Sequence, residues 1–294
     1  MPVAPHDPGQ LRGYFSTPQQ EEQAEPAPPP IASPPAPPAT NAPPLTQAQI
    51  AEINRAAARG RELIALTRAG ILATQDMLAR VSNPEATGIE GWIAMPEGNA
   101  MTVTFYDNTT EGPKAVYRAN ILGNRVVSRD TFLGTFRPDL PRALARLAAA
   151  RDAARAQDNR ACSPQGSNFL VVPPASGSGP VEVYEISAQT ARDRLPAGGH
   201  YRITVTDGRV TGTHAFASAC QDVTIPAAVE GQAPPPLAIS ATDPLPTEVH
   251  VLLSQMAGRA LAFTAGTPAR QWIVAGDRIN EVRDGAPRLV NSQD

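Results

Sequence analysis

Alternating apolar and polar residues mark 195–225 as the stretch around which the fold is organised. The alternation has the period of two that is typical of a half-buried strand, so a strand is predicted over 201–206. Its apolar members are Tyr201, Ile203 and Val205. Asp207-Gly208 then gives a two-residue hairpin signal, because glycine and aspartate tolerate positive φ better than most residues. A second strand is expected at about 209–216.

The predicted hairpin assigns each histidine of this stretch to one face of the sheet. Counting back from a two-residue loop pairs Tyr201 with His214 and places His200 on the opposite face. Side chains on opposite faces cannot bind one metal ion. The pattern therefore predicts that His214 packs beside Tyr201 and that the histidines form no metal site.

Apolar residues three and four positions apart predict a long helix over 46–81. Thr46 and Gln49 fit a capping box at its start, and Gly60 and Gly70 are candidate bend positions. The apolar face of this helix is expected to dock on its own chain or on a protein partner.

The remaining patterns predict an α+β protein. A small antiparallel meander of strands comes first, a linking helix follows at 137–158, and a second, mostly antiparallel region contains one helix at 243–258 and ends in a hairpin. The predicted meander strands are 91–95, 100–107, 115–121 and 124–132. The predicted later strands are 169–173, 181–187, the central hairpin, a strand near 237–241, and 261–266 with 271–276. The domain boundaries expected from this order are 1–44, 45–82, 88–158 and 160–284, with a frayed tail after Asp284.

Residues 1–44 hold nearly half of the 32 prolines in the chain, which predicts a disordered, semi-rigid linker. A net charge of −3 and a pI of about 5.9 give no electrostatic footprint for nucleic acid. No apolar run reaches the length of a transmembrane helix. The first residues lack a basic region followed by an apolar one, so no export signal is predicted in the sequence as given.

Candidate chemistry is sparse. Cys162 and Cys220 permit one disulfide, and two buried thiols fit the sequence equally well. Glu248 and His250 are two residues apart, so on a helix they point in different directions and form no metal pair. The sequence therefore predicts no catalytic set, metal site or cofactor. The candidate pocket residues are Tyr201, His214, Glu248 and His250.

A set of short motifs resembles an uncharacterised family of exported proteobacterial proteins. Gly198-Gly199-His200-Tyr201-Arg202 carries the resemblance, together with the DPxPTExHV pattern that begins at Asp243. The resemblance covers about 90–284 and implies a Cys162–Cys220 disulfide and a periplasmic or exported protein, but no activity. Because no export signal is predicted, a cytoplasmic location stays open.

The C-terminal part also resembles, more weakly, the end of a JAB/MPN metalloprotease domain. In that family, zinc is bound by a His-x-His pair and by the Asp of a Ser-x-x-Asp motif. The corresponding positions here are Ser240 and Thr242 for the histidines, with Thr247 and His250 for the second motif. Ser240 and Thr242 are not usual zinc ligands, so the resemblance implies a degenerate or rearranged site.

Three functional hypotheses follow from the sequence. The first is a non-catalytic binding or structural protein of the bacterial cell envelope, tethered by its Pro-rich segment. The second is a JAB/MPN-like hydrolase that uses a rearranged site near His250, Glu248 and Asp243. The third is a subunit of a larger envelope or phage-like assembly, with the helix at 46–81 as its contact to a protein partner.

Overall fold

The computed structural model describes residues 42–134 and 136–291, and its fold is α+β as predicted. The helices in these ranges are α1 (Gln47–Leu78), α2 (Arg142–Arg155) and α3 (Glu248–Ala257), with a 3₁₀ turn at Glu85–Thr87. The strands of the first half are β1 (Ile89–Glu97), β2 (Ala100–Thr109), β3 (Gly112–Leu122) and β4 (Arg125–Thr131). Those of the second half are β5 (Ser167–Val172), β6 (Val181–Ser187), β7 (Arg194–Pro196), β8 (Tyr201–Thr206), β9 (Arg209–Ala215), β10 (Asp222–Thr224), β11 (Leu237–Ala238), β12 (Leu261–Ala265), β13 (Arg270–Ala275), β14 (Arg278–Arg283) and β15 (Ala286–Leu289).

Two four-stranded antiparallel sheets carry most of the body. The first is the predicted meander β1-β2-β3-β4, and the second has the order β5-β6-β8-β9. A third sheet, β11-β12-β13-β14-β15, is antiparallel except for the short β11–β12 pair, and β7 pairs with β10. Four of these strands, β7, β10, β14 and β15, were not predicted, and β15 lies where a frayed tail after Asp284 was expected.

Helix α1 is the longest helix described and contacts both four-stranded sheets as well as α3 and β14. The predicted capping box at its start is confirmed, since the Gln49 amide donates to Thr46 Oγ1 and the Thr46 amide donates to Gln49 Oε1. Its two interior glycines allow close contacts. A Cβ on Gly60 would lie 2.4 Å from Val251 Cβ in α3, and one on Gly70 would lie 2.5 Å from the Trp92 ring.

The second sheet packs on both of its faces. One face, which includes Val183, Ile203 and Val205, forms a core with α2. Tyr184 and Ile186 face the other way, into a larger core that contains residues of α1, α3 and the third sheet. The apolar face of α1 is therefore covered within its own chain.

The disulfide implied by the family resemblance is present between Cys162 and Cys220. The close packing beside this disulfide leaves no room for a side chain at Gly198 or Gly199. A Cβ on Gly199, whose φ is +69°, would lie 2.8 Å from Cys162 Sγ, and one on Gly198 would lie 2.3 Å from the Ala219 carbonyl oxygen. The glycine pair of the sequence motif thus lets two chain segments meet at the disulfide.

Most of the predicted Pro-rich linker, residues 1–41, lies outside the described residues. Where the description begins, Ala42 is buried and the Pro43 carbonyl accepts hydrogen bonds from Arg270 and Arg283 of the third sheet. Arg270 is itself buried and paired with Glu281. None of the described helices is both long and apolar enough to cross a membrane.

Candidate functional site

The central hairpin carries a β-bulge that changes which side chains share a face. Val205 pairs with Val210 as predicted, but Thr204 pairs with Gly212, so Thr211 is an extra residue in β9. The predicted pairing of Tyr201 with His214 is therefore wrong. His214 lies opposite Arg202, and Tyr201 lies opposite Ala215.

This register builds a row of polar side chains across three strands. Tyr184 of β6 pairs with Arg202 of β8, which in turn pairs with His214 of β9. The next row begins with Glu182, which pairs with Thr204. Glu182, Tyr184, Arg202 and His214 lie on one face of the sheet. This face points toward α1 and the start of α3, where a cleft of about 650 Å³ opens.

Charged groups gather in this space, which we call the charged cleft. Its carboxylates belong to Glu52, Glu62, Glu182, Asp243 and Glu248, and its guanidinium groups belong to Arg55, Arg59 and Arg202. Five carboxylates therefore stand against three guanidinium groups. The sequence patterns place ionisable side chains on opposite faces and predict no such gathering, because they contain neither the bulge nor the long-range packing of α1.

Glu248 is the most enclosed carboxylate of the charged cleft. It is the first residue of α3, and its side chain is 9% exposed. The Tyr184 hydroxyl and Arg202 Nη1 both donate to Glu248 Oε1, each at 2.9 Å. Burial and the Glu248 charge raise the pKa of Tyr184, which keeps the phenol neutral. Burial opposes the charge of Arg202, but Glu248, Tyr184 and Glu182 together outweigh it and raise the pKa of the guanidinium.

Asp243 and His214 form the second pair of the charged cleft. His214 Nε2 lies 3.1 Å from Asp243 Oδ1, and the His214 ring stands edge-on to Phe216 with 4.8 Å between ring centroids. Burial raises the pKa of Asp243, and the charge of Glu248 adds to this rise while His214 opposes it. The two carboxylates therefore lie close enough to repel each other.

The other two candidate pocket residues lie outside the charged cleft. Tyr201 packs on the α2 side of the sheet, and its hydroxyl donates to the Arg160 carbonyl oxygen. His250 is buried in α3, where its Nδ1 accepts a hydrogen bond from the Thr247 amide at 2.9 Å and its ring stacks on Phe263. His250 thus takes the place that Glu or Gln usually has in a capping box.

Most of the charged cleft was not predicted from the sequence. The candidate pocket residues included His214 and Glu248 but not Glu182, Tyr184 or Arg202, although the alternation of β6 places Glu182 and Tyr184 on one face. That alternation was the available signal. No local signal places Arg59 of α1 beside them, because the contact joins residues far apart in the chain.

The residues at the positions implied by the JAB/MPN resemblance do not fit a zinc ion. The Thr242 hydroxyl donates to the Phe216 carbonyl oxygen, the Ser240 amide donates to Gln221, and His250 Nδ1 is taken by the Thr247 amide. Across residues 42–134 and 136–291, no group of three or more His, Cys, Asp or Glu is arranged to hold a metal ion.

Comparison of the chain with protein-family models, with curated proteins and with solved structures finds no match. Both family resemblances in the sequence analysis therefore stay predictions.

Proposed function

We propose that this is a non-catalytic binding protein of the bacterial cell envelope, with the charged cleft as its binding site and the Pro-rich segment as its tether. A single observation carries the proposal. The buried ionisable groups of the cleft are already held by partners: Glu248 by Tyr184 and Arg202, and Asp243 by His214. Such a fixed array is suited to recognising a ligand, because its charges are positioned before the ligand arrives.

The size of the charged cleft supports binding of a small ligand or of a single side chain. About 650 Å³ is within the range of small-molecule sites. Tyr184 and Phe216 are nearly parallel, with ring centroids 6.3 Å apart, and form a rigid floor under the polar groups.

The compartment is proposed from the Cys162–Cys220 disulfide. Disulfides persist in secreted and periplasmic proteins and are rare in the reducing cytosol. Protein isolated from its host under non-reducing, alkylating conditions should therefore show neither cysteine labelled by mass spectrometry. Two fully alkylated thiols would contradict an envelope location and leave the binding proposal intact.

Binding is tested by a thermal-unfolding screen with a library of small metabolites and three forms of the protein. Ala58 is exposed on α1 and lines the charged cleft, so Ala58→Trp should fill the cleft from its rim. Ala65 is exposed two turns further along α1 and does not line the cleft, so Ala65→Trp is the matched control.

The expected result is a compound that raises the unfolding midpoint of the wild type and of Ala65→Trp, but not that of Ala58→Trp. The compound should also be recovered chemically unchanged. A library in which every active compound acts equally on all three forms would contradict a site in the charged cleft, and conversion of the compound would contradict a non-catalytic role.

A hydrolase is the second candidate, and the convergence of His214, Asp243 and Glu248 on one cleft favours it. The test is metal analysis of purified protein. Stoichiometric zinc that is lost in His214→Ala would support the hydrolase over the binding protein, and protein without zinc would count against a zinc-dependent site.

A subunit of a larger assembly remains the third proposal. Since the apolar face of α1 is covered within the chain, a protein partner would meet the polar side of this helix, which includes Glu52 and Arg55. The substitutions Glu52→Arg and Arg55→Glu reverse both charges. Unchanged assembly size in cross-linking experiments with these variants would contradict contact through α1.

A further inference from the structure

Alternating charges run along the charged cleft from α1 to α3. Arg59 contacts Glu62 at 2.5 Å and Glu182 at 2.8 Å. Arg202 then lies 3.9 Å from Glu182 and 2.9 Å from Glu248. In this order each guanidinium group stands between two carboxylates, and Glu182 stands between two guanidinium groups.

The alternation stops at Glu248. Both hydrogen bonds to this side chain go to Oε1, and Oε2 accepts none from any described residue. The side chain is nine-tenths buried and its remaining surface lines the charged cleft. A carboxylate oxygen with unused acceptor capacity in such a place favours a donor supplied from outside the chain.

The next charged group beyond Glu248 is a second carboxylate. Asp243 lines the same cleft, and its partner is the His214 ring rather than a guanidinium group. Burial and the neighbouring Glu248 charge both raise the pKa of Asp243, so the two carboxylates interact across this part of the cleft. A cation placed between them would relieve that repulsion and continue the alternation.

The excess charge has the sign that a cation needs. Five carboxylates and three guanidinium groups line the charged cleft, which leaves two carboxylates without a matching guanidinium group. Arg59 and Arg202 are engaged by their carboxylates, so they do not compete for the open oxygen of Glu248.

We propose that the charged cleft binds an organic cation, a primary ammonium or guanidinium group, held between Glu248 Oε2 and the Asp243 carboxylate. This inference rests on the proposed binding function and names its ligand class. The group can belong to a free amine or to a lysine or arginine side chain of a peptide, because both present the same chemistry to the two carboxylates.

The test follows the His214 ring resonances by NMR at a constant pH of about 7.5, so that changes in pH do not shift them. The probes are n-butylammonium, n-butanol and butyrate, which share one carbon chain and differ in charge. The variants are Glu248→Gln, Asp243→Asn and the matched control Glu97→Gln, whose side chain is exposed in β1 and does not line the charged cleft. Spermidine and an acetylated, amidated Gly-Gly-Lys-Gly-Gly peptide then distinguish a free amine from a side chain.

Only n-butylammonium should shift His214 saturably. Its affinity should fall about tenfold or more in Glu248→Gln and in Asp243→Asn, because a charge-assisted hydrogen bond is lost in each, and should be unchanged in Glu97→Gln. Equal affinity in the wild type and Glu248→Gln, or no response to n-butylammonium, overturns the inference. If butyrate or n-butanol shifts His214 instead, the cleft still binds ligands, and the proposed function survives while the cation does not.

Discussion

Helix α1 contacts one cluster of tyrosine, carboxylate and arginine at its C-terminal end and a second in its N-terminal half. At its C-terminal end, Asp76 accepts hydrogen bonds from Tyr117 and Arg80 and pairs with Arg129 at 3.0 Å. In its N-terminal half, Arg59 contacts the array that leads through Glu182 to Glu248. The two clusters have the same chemical parts but differ in how many of their acceptors are used.

The Asp76 cluster is closed. Oδ2 takes Tyr117, Arg80 and Arg129, and Oδ1 takes Arg80 Nη2 at 3.2 Å. Burial opposes the charge, but the hydrogen bonds from Arg80 and Tyr117 outweigh it and lower the pKa of Asp76. Both oxygens are therefore used within the protein, as expected of a cluster that joins α1 to the first sheet.

The cluster around Glu248 is open. Both of its hydrogen bonds go to Oε1, which leaves Oε2 without a donor among the described residues, and a second carboxylate, Asp243, lines the same cleft. Residue types alone therefore do not distinguish a structural cluster from a binding site. The difference lies in whether every acceptor has a partner in the chain.

The largest expected effect is acid destabilisation of the half of the molecule that carries the cleft. Burial lowers the pKa of His200 to about 4 and that of His250 to about 3, below the 6.5 of an unperturbed histidine. The folded state binds fewer protons than the unfolded state, so stability is complete above about pH 6.5 and is lost as the pH falls below it. At about 1.4 kcal/mol per pH unit for each histidine, up to about 5 kcal/mol should disappear between about pH 6.5 and 4.5.

Urea unfolding at several pH values measures this loss. His250→Gln should remove about half of the slope, because glutamine keeps an acceptor for the Thr247 amide and does not titrate. Ala65→Gln is the control, since that side chain is exposed on α1 and neither residue titrates, and its slope should match the wild type. A slope unchanged in His250→Gln would contradict a contribution from His250.

The second prediction concerns the close packing of α1 on α3, beside the Glu248 cluster. Gly60→Val should lower the free energy of unfolding by about 3 kcal/mol, because its side chain would overlap Val251 and press on the Glu248 carbonyl oxygen. The same substitution at the exposed Ala65 should cost only the β-branched helix penalty of about 0.5 kcal/mol. Comparable losses at both positions, measured by urea unfolding, would contradict close packing of α1 on α3.

Local patterns were sufficient to predict the elements that depend on neighbouring residues. The capping box at Thr46, the Asp207-Gly208 turn and the alternating strands of the meander are all decided within a few residues. One strand of the third sheet, β14, was not predicted, and the reason is physical. Glu281 points into the protein and pairs with Arg270, so β14 does not read as a simple alternation of apolar and polar residues. Asp284-Gly285 was an available hairpin signal, with positive φ at both residues.

The charged cleft depends on two features that local patterns do not contain. One is the bulge at Thr211, which exchanges the faces of the residues after it and moves His214 from the side of Tyr201 to the side of Arg202. Gly212 within the strand was the available hint, since glycine in a strand often marks a bulge. The other is the docking of α1, which brings Arg59 to Glu182 across more than a hundred residues.

The smallest expected effect tests the difference between the closed and the open cluster directly. Asp76→Asn should cost about 1–2 kcal/mol, because an amide group must replace one of two oxygens that both accept hydrogen bonds. Glu248→Gln should cost less than about 1 kcal/mol, because the amide group can occupy the unused Oε2 position while the remaining oxygen keeps Tyr184 and Arg202. Urea unfolding at pH 7.5 measures both.

Equal losses would mean that Glu248 Oε2 has a structural partner, and the cleft would then lack its free acceptor. A small loss for Glu248→Gln has a further consequence. The variant stays folded, so its failure to bind an organic cation would reflect the missing carboxylate charge rather than a disturbed cleft.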